Sequence, residues 1–235
     1  MKHPELSPAP RARVLLDFDG TVTRTDTVDH LLERFALPQW RDIENEWDNG
    51  TIGSRECLER QSALLRATPA ELDDAIDHVP IDPGIHALVR RCHAHALDLT
   101  IVSDGYDRAI RRVLGRAGLY VPFVSNILLP KGQNEWTLLA PWALASCRVR
   151  AAHCKCARTK GAGPVVLIGD GRSDFCVAHS ASFVIAKGKL GRYCAERHLA
   201  HSAVSDLAGA IDALENWLAT FGAAHTERLE TGEIA

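Results

Sequence analysis

Two aspartates with one residue between them, Asp17 and Asp19, close an apolar run that starts at Val14 and leads into Gly20-Thr21. Carboxylates so spaced can attack an electrophile, pass a proton or hold a hard cation. Like charges at such range repel by about 4 kcal/mol at an effective dielectric near 20. A cation is expected to offset them, and Mg2+ with oxygen ligands is the simplest choice. Alone, Asp-x-Asp-Gly-Thr also reads as an ordinary turn. Two further sites change the weighing. Ser103-Asp104-Gly105 ends the apolar run from Leu97 to Val102, and Gly169-Asp170-Gly171, with Asp174 close behind, ends the run from Val165 to Ile168.

Each of the three runs is short, apolar and closed by a glycine turn, which predicts buried strands. Strands alternating with helical stretches predict an α/β fold, a Rossmann-like parallel sheet with helices on both faces. In such sheets ligands bind beyond the carboxyl ends of the strands. Three strands would then deliver polar groups to one edge.

Between the first and second strands the texture is helical. Leu31, Leu32 and Phe35 recur behind Asp26 and stop at Pro38; Trp40, Ile43 and Trp47 share a face ending at Gly50. Ser54 is expected to cap a third helix running to Ala67, and Thr68-Pro69-Ala70-Glu71 to start a fourth through a capping box. The expected organisation is a catalytic core of 12–23 and 81–222, a small all-helical cap at 24–80, and loose tails at 1–11 and 223–235. Phe123–Leu129 and Glu135–Leu139 are expected to pair as a hairpin, 142–160 to be partly helical, and Ser205 to cap the last helix.

With these residues assembled, the chain resembles the haloacid-dehalogenase-like phosphohydrolases over 12–200, and within them the phosphoserine-phosphatase-like branch. The resemblance rests on Asp17-Phe18-Asp19-Gly20-Thr21, on Ser103, and on Gly169-Asp170-Gly171-Arg172-Ser173-Asp174. Asp17 through His30, Ser103 to Asp107, Cys154-Lys155-Cys156 and the run 169–176 are similar to a subgroup that includes the 2-hydroxy-3-keto-5-methylthiopentenyl-1-phosphate phosphatases of methionine salvage. The branch also holds phosphoserine and phosphocholine/phosphoethanolamine phosphatases.

The resemblance implies an Mg2+-dependent phosphatase working through an aspartyl-phosphate. It makes Asp17 the nucleophile and Asp19 the acid and base. Ser103, with the backbone N–H of Asp104 or Gly105, would bind a phosphoryl oxygen. Asp17, Asp170, Asp174 and the carbonyl of Asp19 would hold the metal. The cation that pins the phosphate is assigned to Lys155, with Lys160 as the alternative. A non-catalytic relative that binds a phosphorylated ligand is the competing class; the presence of both Asp17 and Asp19 counts against it. A phosphonatase would carry a cap lysine, and 22–80 has none.

Composition narrows the partners. A formal charge of -3 gives no reason to expect nucleic acid or an anionic membrane. No apolar run reaches the length of a membrane span. Seven cysteines, with no export signal expected, suit a reducing cytoplasm better than a disulfide framework. The expected partner is a small phosphate ester, and the expected state a monomer or homodimer, with the hairpin as a contact. Cys147, His153, Cys154 and Cys156 could form a zinc site, but Cys-x-Cys lacks a second well-spaced pair, so reduced thiols are the default. Trp40 and Trp47 are expected in the cap's own core. Glu44, Glu46, Arg55 and Arg60 either face the substrate or lie on solvated helix faces.

Overall fold

Strand β1 (Arg13–Leu16) is buried from Val14 onward because it lies mid-sheet. The computed structural model describes residues 11–231, without the side chains of 222–231. In the seven-stranded sheet the order is β4-β3-β2-β1-β5-β6-β7. β1 pairs in parallel with β2 (Asp98–Tyr106) and β5 (Val165–Gly169), so that Leu16 is level with Ile101 and Ile168. β6 (Phe183–Ala186) and β7 (His201–Ala203) continue the parallel set. β3 (Phe123–Pro130) is parallel to β2 and forms the expected hairpin with β4 (Trp136–Leu139).

Successive strand residues turn to opposite faces. Val14, Leu16, Ile101, Val166, Ile168 and Ile185 join one core with α5 (Ile85–Ala94), α6 (Asp107–Arg116) and α9 (Leu207–Thr231). Leu15, Val102, Leu167 and Val184 join the other, under α7 (Phe175–Ala178) and α8 (Gly188–Glu196).

Four helices separate β1 from α5: α1 (Thr27–Phe35), α2 (Trp40–Asp48), α3 (Ser54–Ser62) and α4 (Pro69–Asp77). Asp26 caps α1 by accepting from the N–H groups of Val28 and Asp29, and Thr68 and Glu71 close the capping box of α4. Leu31, Leu32, Leu72 and Ile76 belong to the main core, whereas Ile43, Ile52 and Cys57 form a small core between α2 and α3. Arg108, Arg112 and Arg116 of α6 tie α4 down through Asp73, Asp77 and the carbonyls at its end.

Several sequence expectations need correction. β2 runs to Tyr106 instead of ending at Val102, because a register irregularity against β3 between Val102 and Tyr106 absorbs the Ser-Asp-Gly turn. α3 is capped by Gly53, since the Ser54 hydroxyl is engaged by Asp104 at 2.5 Å, and the helix stops at Ser62 rather than Ala67. α9 is capped by Asp206, which accepts from Gly209 N–H at 2.9 Å, rather than by Ser205. Its backbone stays helical to Thr231: residues 223–231 carry good helix formers and no glycine or proline. The expected tail at 1–11, apart from Arg11, and residues 232–235 lie outside the described residues. Within 142–160 only Lys155–Thr159 is helical, as a 3-10 turn. The preceding stretch is a series of tight turns, such as Cys147 N–H to Leu144 O at 3.0 Å.

Candidate active site

The chain leaves β1 through a turn fixed on one carbonyl. Phe18 O accepts from the N–H groups of Val22 at 2.8 Å and Thr23 at 3.1 Å. Asp17 still belongs to the sheet, its N–H bonded to Ile168 O at 2.8 Å, so its side chain stands at the carboxyl edge. Gly20 turns with φ +74°, and a Cβ there would fall on the Asp170 carboxylate. Only glycine permits both the turn and that approach.

Lys155 enters from below. Its Nζ donates to Asp17 Oδ1 at 2.6 Å, Asp174 Oδ1 at 2.7 Å and Ser173 Oγ at 3.1 Å, and its side chain is 2% exposed. Asp174 also accepts, through Oδ2, from the N–H of Asp170 at 3.1 Å. Asp17, Asp170 and Asp174 each bring a carboxylate oxygen within 4.8 Å of the others. One ammonium faces three acids. Burial, then Asp174, pushes the Asp17 carboxyl well up, against the pull of Lys155. Burial, then Asp174, raises Asp170 as well. Burial acts to lower the Lys155 ammonium, but Asp17 and Asp174 outweigh it and the net shift is upward. The donor set is all oxygen, crowded and short of positive charge, which fits a divalent cation such as Mg2+.

Asp19 has a different set of partners. Its Oδ1 accepts from the hydroxyl and N–H of Thr27 at 2.5 and 2.9 Å, and its Oδ2 from Ser103 Oγ at 3.3 Å. Burial raises its carboxyl, against those bonds. A Cβ on Gly105 would collide with Asp19 Oδ2. Ser103 is fully buried and accepts from Gly105 N–H at 2.8 Å, so its hydroxyl is held between these two partners.

Asp104 is a junction. Its Oδ1 accepts from His153 N–H at 2.6 Å, its Oδ2 from Ser54 Oγ at 2.5 Å, and its carbonyl from Asn126 Nδ2 at 2.7 Å. His153 lies 3.0 Å from Ser103 O through Nδ1 and accepts from Arg158 Nε at 3.2 Å. Burial lowers its pKa to about 4, so the ring is neutral.

Above this floor opens a cavity of about 500 Å³. Asp17, Asp19, Gly105 and Asp170 form its base, and Asp29, Glu44, Trp47 and Asp48 its far wall. Trp47 therefore lines the cavity instead of lying wholly in the insert's core; Trp40 is buried. Arg172 reaches across, donating to Trp47 O at 2.9 Å and Asp48 O at 3.2 Å with its guanidinium 4.7 Å from the Trp47 ring centroid. Of the four charged residues considered for the insert, Glu44 lines the cavity. Glu46 pairs with Arg60 at 2.7 Å and Arg55 with Glu59 at 2.9 Å.

The structure thus brings Asp17, Asp170, Asp174 and Lys155 together, with Asp19, Ser103 and Gly105 beside them. Lys160 is exposed, and its carbonyl accepts from Arg13. Among the described residues the acidic trio is the group with three metal-ligand atoms in mutual reach; the Cys/His cluster is not one, and the His153 ring is engaged elsewhere. Sequence reasoning missed Thr27, His153 as an anchor, and Arg172. Thr27 had a signal, since it directly follows the capping Asp26; the other two act through tertiary contacts alone.

The largely parallel sheet brings acids from the ends of β1 and β5 together over one buried lysine, with Ser103 of β2 beside them. The chain belongs to the haloacid dehalogenase-like hydrolases: the family model matches residues 14–179. It is 27% identical over 199 residues to the 2-hydroxy-3-keto-5-methylthiopentenyl-1-phosphate phosphatase of Exiguobacterium sp., covering 80% of this chain and 90% of the relative. The enzyme of the same name from Geobacillus kaustophilus is 27% identical over 210 residues, covering 85% and 93%. Among solved structures, a probable phosphoserine phosphatase from Vibrio cholerae matches with TM-score 0.68 at 19% identity, covering 89% of this chain and 66% of that one. A phospho-aspartyl intermediate analogue of phosphoserine phosphatase matches with TM-score 0.65 at 20% identity, covering 87% and 98%.

Proposed function

We propose that the chain is a magnesium-dependent phosphomonoesterase that hydrolyses a small phosphorylated metabolite through an aspartyl-phosphate. The substrate we favour is 2-hydroxy-3-keto-5-methylthiopentenyl-1-phosphate. That the chain is a phosphatase rests on its family and on relatives that carry that name. The observation that carries the chemistry is Lys155, buried between Asp17 and Asp174. The substrate reading is supported by the relatives' names.

In this reading Lys155 holds one oxygen of Asp17, aiming the carboxylate at phosphorus. Asp17 attacks in line and the alkoxide leaves with a proton from Asp19, whose carboxyl burial has raised. Asp19 then takes a proton from the water that attacks the aspartyl-phosphate, and phosphate departs. Thr27 and Ser103 keep Asp19 in place for both half-reactions. Gly105, with no side chain, leaves room for Asp19, and its N–H holds the Ser103 hydroxyl in place. Asp17, Asp170 and Asp174, with the Asp19 carbonyl, would hold Mg2+, which would neutralise phosphoryl charge. The helices of 24–80 serve as a cap that shields the reaction from water.

A second reading, a phosphoester carrying an ammonium group such as phosphoserine or phosphoethanolamine, is favoured by the acidic wall of Asp29, Glu44 and Asp48. Hydrolysis of a panel of small phosphomonoesters, with magnesium and with a chelator, separates the two. We expect turnover with magnesium only and preference for the enol-phosphate. Preference for amine-bearing esters would select the second reading, and binding without turnover would leave a phosphate-ligand sensor.

A further inference from the structure

Lys155 sits between two cysteines, and each of them meets another cysteine. Cys154 packs against Cys147 in a small cluster with Cys156 at its edge. Cys156 Sγ lies 3.0 Å from Cys176 Sγ. All four thiols are free, and Cys156 and Cys176 are half-buried, within reach of a small oxidant. The second pair joins the turn that carries Lys155 to the segment that carries Asp170 and Asp174. Cys156 follows Lys155 in the 3-10 turn Lys155–Thr159, and Cys176 stands two residues beyond Asp174 in α7. That turn and α7 pack directly on one another.

We propose that Cys156 and Cys176 are a reversible disulfide site that governs the floor through Lys155. A bonded pair of sulfurs is about 2.05 Å apart, so the contact must close by about 1 Å. The oxidant is a hydroperoxide. It oxidises one thiol to a sulfenic acid and is itself reduced to water or an alcohol. The sulfur of the second thiol then displaces the hydroxyl, which leaves as water with that thiol's proton. Two thiols lose two electrons and two protons in all, and a dithiol reductant reverses the change by exchange.

Lys155 is one bond along the chain from the moving residue, and its three contacts leave little slack. Misplacing a catalytic constellation by about 1 Å can cost about 10²-fold. The disulfide is therefore expected to lower turnover at least tenfold. The cross-link itself does not depend on the function proposed above; its effect on turnover does.

The test treats the full chain with hydrogen peroxide, then digests it without reduction for peptide mapping by mass spectrometry. The expected product is a cross-linked 156–176 peptide pair, two hydrogens lighter than the free peptides, that disappears with dithiothreitol as phosphatase activity returns. Cys176→Ser, and Cys176→Ala as a second variant, should keep basal activity and lose the peroxide sensitivity. Failure to find the cross-link while other thiols are oxidised would overturn the site. A quantitatively cross-linked protein of unchanged activity would overturn the control of turnover while leaving the phosphatase reading intact.

Discussion

The two walls of the cavity are built on opposite plans. On the floor each acid has a close partner: Asp17 and Asp174 share Lys155, Asp19 accepts from Thr27 and Ser103, and Asp170 accepts from the Thr21 hydroxyl at 3.4 Å. Gly20, Gly105 and Gly169 are backed so closely by Asp170, Asp19 and Asp174 that no side chain fits at any of the three. On the insert wall Asp29, Glu44 and Asp48 face the same space; Glu44 accepts from Gln61 Nε2 at 2.8 Å, and the Asp48 carboxylate lies 3.7 Å from the Arg172 guanidinium. Behind them lies a small core of Ile43, Ile52 and Cys57. Under the proposed function the floor would handle the phosphoryl group that all such esters share, and its groups are closely tied to one another. Under the same reading the wall would meet what differs between esters; α2 and α3 join the core through polar ties that include Arg172 to α2, Ser54 to Asp104, Ser62 to Tyr106 and Arg55 N–H to Arg150 O. Local stability follows buried apolar contact, so α2 and α3 should open before the sheet does.

The strongest break in that contrast is Asp17→Asn. The amide keeps an oxygen for Lys155 but cannot attack, so turnover should fall by about 10⁴-fold or more. The melting temperature should stay near that of the parent. Substantial residual steady-state activity would remove Asp17 from the attacking role. Next comes Lys155→Met, which leaves buried carboxylates without their cation. Breaking a buried pair in this way costs about 3–5 kcal/mol. Denaturant unfolding should show that loss together with about 10³-fold lower turnover; an unchanged midpoint would mean that the floor does not depend on this lysine.

Much of the floor was legible in the sequence, because its parts are strand ends. Apolar runs with acids or a serine after them place Asp17, Ser103 and Asp170 at one edge as soon as the sheet is parallel. Lys155 was harder, since a lysine in a turn carries no periodic signal; the resemblance supplied it, and burial between Asp17 and Asp174 separates it from Lys160. The capping box at Thr68 was readable because both partners are local. Ser54 misled because its hydroxyl serves Asp104, 50 residues away, and no local rule reports that. Arg172, inside a recognised motif, holds the insert by a contact only the fold reveals.

Gly105→Ala tests the crowding. Its Cβ would meet Asp19, so the carboxylate must shift, and kcat should fall by about 10²-fold with KM little changed. A normal kcat would show that Asp19 has room to move. Arg172→Ala acts on the join instead. Losing two bonds to α2 carbonyls and the contact with Trp47 should raise KM by about tenfold and lower kcat less. Faster proteolysis between 38 and 68 should accompany it; a change in kcat alone would place Arg172 on the floor's side of the comparison.

The smallest effect probes Asp29 on the insert wall. Burial, then Glu44 and Asp19, pushes the Asp29 carboxyl from an ordinary 3.8 up to about 6. Between those values the folded chain holds this proton more tightly than the unfolded chain does. The folded state then binds more protons, so stability falls as pH rises through that window and the loss is complete above it. Asp29→Asn removes the proton-binding site and should flatten that limb of the stability curve. It should also raise stability at neutral pH. Asp29 opens onto solvent in the cavity, and screening holds the gain to about 1 kcal/mol or less. Urea unfolding midpoints of both proteins, taken at steps from pH 4 to 7, read this directly. If the two curves run parallel, the acids of the wall are already compensated, and the contrast between the walls reduces to packing alone.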